Sequence, residues 1–242
     1  MSTLVLTAHG SRDPRSAATA TAVAERVRTL RPGVDVRLAF LDLNEPKLTD
    51  VLADLPDSGP AVVTPLLLCS AYHARVDIPR QIAQIGARAT RQAGVLGEDE
   101  RLVSVLRDRL GELDIALDDP AVAAEVGVIV VAIGSSDATA NARTSLVAPR
   151  LARGTGWAGT ATAFATREEA SVGRAAGALR RQGARQLVIA PWFLSAGVLV
   201  DGVAAFARRH GIAMAAPLGD HRLVAETVLD RYDEALADDT AA

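Results

Sequence analysis

Two halves of this chain pass through the same succession of apolar runs and turns, and that duplication limits the fold more than any other feature. The apolar run ending at Ala8 leads into His9-Gly10-Ser11-Arg12, and a second run, 126–132, leads into Ile133-Gly134-Ser135-Ser136-Asp137. Residues 160–165 lead into Thr166-Arg167-Glu168-Glu169-Ala170, matching the stretch around Asn44-Glu45-Pro46. Residues 186–190 with Pro191-Trp192-Phe193-Leu194-Ser195 match 62–70, proline included. Ala93-Gly94-Val95-Leu96-Gly97 pairs with Ala216-Pro217-Leu218-Gly219, each followed by a helical pattern. Four matches in one order are hard to obtain by chance.

Within each copy, short apolar runs alternate with helical periods, the pattern of βαβ units on a parallel sheet. Residues 3–8 read as a buried strand stopped by Gly10. Asp13-Pro14 reads as a helix start, the helical pattern runs from Ala17 to Leu30, and Arg31-Pro32-Gly33 ends it. A strand over 34–41, a helix from Asn44-Glu45-Pro46 to about Leu55, a strand over 61–68 and a helix after Asp77-Ile78-Pro79 complete the first copy. The expected fold is α/β: two similar lobes, each a mostly parallel open sheet flanked by helices, related by internal duplication. The lobes are expected at 1–118 and 119–242, with Asp118-Asp119-Pro120 as a linker.

Composition narrows the function classes. Apolar residues make up 49% of the 242 residues and aromatics 3%, so the cores must be built from Ala, Val, Leu and Ile. A net charge of −3 with scattered Lys and Arg marks no nucleic-acid surface. Cys69 stands alone, which excludes an internal disulfide and a cysteine-rich metal knot. The sequence has no 18-residue apolar segment and no leader-like start, so a cytoplasmic protein without a membrane span is expected.

The chemistry-bearing residues lie where two strands of the first copy end. His9 follows the first strand directly, and His73 sits several residues past the third. Parallel strands open their carboxyl ends on one edge, where open α/β sheets place ligand crevices. In the second copy Ile133 replaces His9, and the Tyr72-His73 region becomes Gly197-Val198-Leu199 across a short length difference. Glu45, past the second strand, offers a carboxylate, with Glu168 or Glu169 as its counterpart. Two histidines and one carboxylate suit a borderline ion such as Fe²⁺ or Co²⁺ and leave coordination positions open. Against this stand plainer readings: a histidine satisfied by its local structure, and a glutamate favoured by the dipole of a nearby helix start. Gly10-Ser11-Arg12 could bind phosphate at a helix start, but no nucleotide motif accompanies it. Ser11 beside His9 raises a hydrolase, without the G-x-S-x-G signature. Cys69 reads as a packing residue, and His210 and His221 as surface residues.

At these residues the sequence resembles the class II chelatases of tetrapyrrole biosynthesis, in particular the sirohydrochlorin chelatase family. The resemblance lies in Thr7-Ala-His-Gly-Ser-Arg-Asp-Pro14, in Phe40-Leu-Asp-Leu-Asn-Glu-Pro46 and in Pro65-Leu-Leu-Leu-Cys-Ser-Ala-Tyr-His-Ala-Arg-Val-Asp-Ile-Pro79. Phe193-Leu-Ser-Ala-Gly-Val-Leu-Val200 is similar to the family's degenerate second copy. It implies ATP-independent insertion of Co²⁺ or Fe²⁺ into sirohydrochlorin for cobalamin or sirohaem, with no cofactor beyond the substrate metal. It further implies that His9 is proton acceptor and metal ligand, that His73 is a second ligand, and that Glu45 acts in catalysis and contacts substrate. Leu68, Cys69, Ser70, Ala71 and Tyr72 would line the macrocycle. Arg12, Arg15 and Arg75 are candidates for its carboxylates. The implied partners are sirohydrochlorin and a divalent metal, without nucleic acid or membrane, in a monomer or homodimer. The alternative is a non-catalytic metal or tetrapyrrole carrier.

Overall fold

The computed structural model describes residues 2–56, 59–70, 72–86, 89–167 and 171–237. They form two four-stranded parallel sheets, each flanked by helices on both faces.

In the first sheet, β1 (Thr3–Ala8) is central, with β2 (Asp35–Phe40) on one side, β3 (Ala61–Pro65) on the other and β4 (Thr90–Gln92) beyond β3. Every residue of β1 and β3 is buried, which is why these strands read as continuous apolar runs: a parallel sheet covered on both faces has no solvent side. Side chains alternate across the sheet. Val5, Ala39 and Val63 pack with Leu48 and Leu52 of α2 (Leu48–Ala53) and Ile78 of α3 (Ile78–Ile85). The opposite face meets α1 (Pro14–Leu30) and the last helix of the chain.

The second sheet repeats this order. There β5 (Val126–Ala132) is flanked by β6 (Gly159–Phe164) and β7 (Gln186–Pro191), with β8 (Ala213–Met214) beyond β7. Ile129, Val131, Ala163 and Ile189 pack against Val172, Ala176 and Leu179 of α8 (Val172–Arg181) and Val200 and Val203 of α9 (Val198–Arg209). The other face meets α4 (Glu100–Gly111) and α7 (Val147–Leu151), which follows α6 (Ala138–Thr144).

Several expectations are corrected. The third strand ends at Pro65 rather than 68, because β1 turns away at Gly10 and leaves no ladder to join after Leu66 N donates to Thr7 O at 2.8 Å. Asp118-Asp119-Pro120 is no open linker: Asp119 caps α5 (Pro120–Ala123), accepting from Ala121 N at 2.8 Å, with Pro120 in the first turn. The β4 and β8 edge strands were not anticipated; three and two residues carry no readable period.

Packing and sequence repeat divide the chain differently. The compact units are residues 1–99 with 220–242, and 100–219. Each copy ends in a helix that packs on the sheet of the other copy: α4 on β7, and α10 (Arg222–Ala237) on β3 and α1. Tyr232 of α10 is 1% exposed, and its hydroxyl lies 2.6 Å from Ser2 Oγ. Arg31 donates twice to Asp233, at 3.1 and 2.8 Å, and these bonds raise the Arg31 pKa. Arg231 joins α10 to Asp99 at 2.8 Å and to Val95 O at 3.1 Å.

If α10 completes the first core, Tyr232→Ala should cost about 3–5 kcal/mol, the usual range for truncating a buried aromatic. Urea unfolding measures this, and a loss below about 1 kcal/mol would place Tyr232 outside the load of that core.

Candidate metal centre at the carboxyl edge of the first sheet

His9 is the first residue past β1, and its position is set by the turn behind it. Gly10 has φ +96°, and a Cβ there would lie 1.8 Å from the Asp42 carbonyl oxygen. Only glycine tolerates both the dihedral and the approach. The contact is held by Asp42 N donating to His9 O at 3.0 Å and by Ser11 N donating to Asn44 Oδ1 at 2.6 Å. Asp13 N donates to Ser11 Oγ, and the Asp13 carboxylate caps α1 by accepting from Arg15 N, both at 3.0 Å. The Arg15 side chain holds the Asp13 carboxyl down to about 2, from an ordinary 3.8. The N–H groups of Ser11, Asp13 and Arg15 are therefore spent internally.

His73 opens a π-helical turn, His73–Asp77, that leads into α3; the sequence pattern places a helix only after Asp77-Ile78-Pro79, so the helical segment starts earlier than expected. Its ring packs edge-on against that of His9, with centroids 4.1 Å apart and planes at 72°. Ring nitrogen chemistry follows from the partners. His9 Nδ1 lies 2.9 Å from Gly10 O, and a carbonyl only accepts, so Nδ1 carries the hydrogen. His73 Nδ1 lies 2.6 Å from Asp77 Oδ2 and donates to it. In both neutral rings the lone pair is left on Nε2, the arrangement in which a hydrogen bond behind the ring orients a metal ligand. The centroid separation is short enough for two such nitrogens to reach one ion with bonds of about 2.0–2.1 Å.

Other candidates are placed less tightly. Glu45 is exposed; it accepts from Lys47 N at 3.1 Å, and its Oε1 lies 3.6 Å from Lys47 Nζ. Among the described residues no group of three His, Cys, Asp or Glu forms around a common point, so Glu45 does not complete such a set with the histidines. Leu68 and Cys69 are half-buried, Ser70 is exposed, and Ala71 lies outside the described residues. Tyr72 is 57% exposed, its ring centroid 6.0 Å from that of His73. Arg12, Arg15 and Arg75 are exposed, and Arg15 pairs with Asp13 at 2.6 Å. His210 stacks on Phe206, and His221 Nδ1 accepts from Leu223 N, so each has a local partner. Sequence reading missed Asp77 and Asn44 as supports; the four-residue step from His73 to Asp77 was the available signal.

The second copy isolates what the histidines add. Gly134 has φ +91°, Ser135 N donates to Asn141 Oδ1 at 2.8 Å, and Asp137 N donates to Ser135 Oγ at 3.1 Å. The turn is the same, with Ile133 in place of His9. Its serine does the same structural work, so Ser11 is a turn former and the hydrolase reading loses its basis. Strand register makes the two prolines counterparts: Thr7 pairs with Pro65 as Val131 pairs with Pro191. Counting on from the two prolines, Val198 stands at the position of Tyr72 and Leu199 at that of His73. Likewise Ala93 N bonds Val63 O as Ala215 N bonds Ile189 O, so Ala93 corresponds to Ala215, not Ala216. Glu168 and Glu169, the suggested counterparts of Glu45, lie outside the described residues.

The family model CbiX matches residues 3–113 and again 127–235. The chain belongs to the CbiX family. Its CbiX repeats coincide with the two sequence copies. The sirohydrochlorin ferrochelatase of Priestia megaterium is 24% identical over 209 residues, 84% of this chain and 77% of that protein. The sirohydrochlorin cobaltochelatase of the same organism is 27% identical over 210 residues, 83% of this chain and 66% of that protein. The solved structure of SirB from Bacillus subtilis with Fe³⁺ superposes with a TM-score of 0.83 at 21% identity, covering 99% of this chain and 97% of that one. This last likeness establishes the chelatase-like fold of the CbiX chain.

Two outcomes test the geometry. Gly10→Ala should destabilise the protein by about 3 kcal/mol or more, combining the backbone cost of a side chain at positive φ with the overlap on Asp42; urea unfolding reads it. Asp77→Leu should move the His73 ring hydrogen from Nδ1 toward a mixture of both nitrogens, visible in ¹⁵N-edited spectra, and weaken Co²⁺ binding about 10–100-fold.

Proposed function

We propose that this chain inserts a divalent metal, Co²⁺ or Fe²⁺, into sirohydrochlorin without ATP, as the cobalamin or sirohaem pathway requires. The observation that carries the reading is the pair of imidazoles in ring contact, each with Nε2 left as the acceptor. Metal insertion exchanges one M²⁺ for two pyrrole protons, so a site for it needs loose ligands for the ion and a base for the protons.

His73, backed by the Asp77 carboxylate, is suited to holding a cation. His9, backed by a neutral carbonyl, is suited to taking the two pyrrole protons in turn at Nε2 as the ion moves to the macrocycle, passing each to solvent. Two imidazoles leave most coordination positions for water and incoming pyrrole nitrogens, and an ion so held can be given up. That property favours the enzyme over a storage or carrier protein, which gains from additional ligands. Glu45 is proposed to meet the substrate from the second loop. Leu68, Cys69, Ser70, Ala71 and Tyr72 are proposed to lie along the macrocycle, with exposed Arg12 and Arg75 toward its carboxylates. The reading includes no further cofactor and a cytoplasmic setting. Among the described residues no helix is long and apolar enough to cross a membrane.

The test mixes the purified protein with metal-free sirohydrochlorin and Co²⁺ or Fe²⁺ and follows the absorbance change. His9→Ala and His73→Ala should each lower the catalysed rate about 10²-fold or more, with unchanged circular dichroism. Full rates in both variants would overturn the assignment, and a single stoichiometric turnover with tight product retention would favour the carrier.

A further inference from the structure

The turn that carries His73 has a gap in its own hydrogen bonding. Ile78 N donates to His73 O, five residues back, which makes the turn π-helical. The next donor in that ladder would serve Ala74 O, but it belongs to Pro79, which has no N–H. Ala74 is buried, so an unmet carbonyl there would be costly. Gln92, the last residue of β4, fills the gap: its Nε2 donates to Ala74 O at 2.7 Å.

Gln92 accepts a penalty to do this. Its Oε1 is buried, and no donor among the described residues reaches it. An orphaned buried acceptor is rare and calls for a reason. A half-satisfied amide whose satisfied half grips the residue after His73 supplies one. β4 is itself fixed by Val63 pairing with Gln92 and by Ala93 N donating to Val63 O at 2.9 Å. A continuous path therefore runs from β3 through β4 and the Gln92 amide to the backbone at His73.

We infer that Gln92 is a positioning residue, holding the His73–Asp77 turn so that the His73 ring stays against His9 with Nε2 presented. It touches neither metal nor substrate and acts through Ala74. This inference rests on the metal-centre reading of His9 and His73, and the experiment separates the two.

Gln92→Met keeps side-chain length and removes the donor. Binding of Co²⁺ alone is followed by its visible absorption, alongside ¹⁵N-edited spectra of His73 and steady-state insertion kinetics. The variant should stay folded, bind Co²⁺ about tenfold more weakly, show an altered His73 signal, and lose kcat with little change in KM for sirohydrochlorin. Pro79→Ala, which restores a main-chain donor for Ala74 O, should recover part of the Co²⁺ affinity when combined with Gln92→Met. Wild-type Co²⁺ affinity and His73 spectra in Gln92→Met would overturn the inference. Gln92→Glu, equally long and without a donor at neutral pH, is read in the same way should the methionine variant not fold. If His9→Ala and His73→Ala also bind Co²⁺ like the wild type, the metal-centre reading itself fails. If they lose binding while Gln92→Met keeps it, only the role of Gln92 does.

Discussion

Parallel pairing of β1 with β3 is the constraint on which the rest of the site depends. Thr7 stands beside Pro65, so both chains leave the sheet at one edge, and residues far apart in sequence emerge side by side. Hydrophobic burial enforces that pairing. Leu4, Val5 and Leu6 are fully buried, as are Val62 and Val63, and a slip of one residue would turn every side chain to the wrong face. A site built from strand ends thus inherits the rigidity of the core beneath it. The loops add only the last few ångströms, through the Gly10–Asp42 approach and the π-helical turn.

Duplication lets the chain serve as its own control. The β5–α6 turn keeps the glycine, the serine and the aspartate cap of the first copy, so those residues answer to the turn and not to chemistry. At the two histidine positions, and at Tyr72 beside them, the second copy turns aliphatic. Ile133, Val198 and Leu199 are all exposed there. Aliphatic side chains can neither ligate an ion nor take a proton. The turn behind His9 is kept without its imidazole, whereas the π-helical turn and the Asp77 that orient His73 are replaced along with it, so the second copy lost both rings and the support of one.

Much of this was legible in the sequence, for identifiable reasons. A fully buried parallel strand is an unbroken apolar run, so β1 and β5 could be located almost to the residue. Glycine after such a run announces the turn, which placed His9. The exchange of α4 and α10 was not legible: an amphipathic helix shows that it has an apolar face but not which sheet that face will cover. Sequence copies therefore divide near residue 118, while packing follows 1–99 with 220–242. Gln92 was equally hidden, because its partner is a carbonyl left unmet by a proline thirteen positions earlier and brought near only by the fold. Glu45 is the residue about which position alone says least: past the second strand it reads as a carboxylate joining the histidines, and in the fold it is exposed beside Lys47, two residues on.

The hydrogen bonds behind the two rings differ in kind, and the difference bears on how an ion is passed on. A carboxylate at Asp77 gives His73 a negative charge to lean on, whereas His9 has only the dipole of the Gly10 carbonyl. On the proposed reading, a cation at both Nε2 atoms would be held unequally, with the stronger hold on the His73 side. As the ion left, His9 would release its lone pair with least loss and could then receive a proton. Sharing the ion unequally would allow one ring to become a base while the other still restrained the metal, whereas a symmetrical pair would have to release both contacts together.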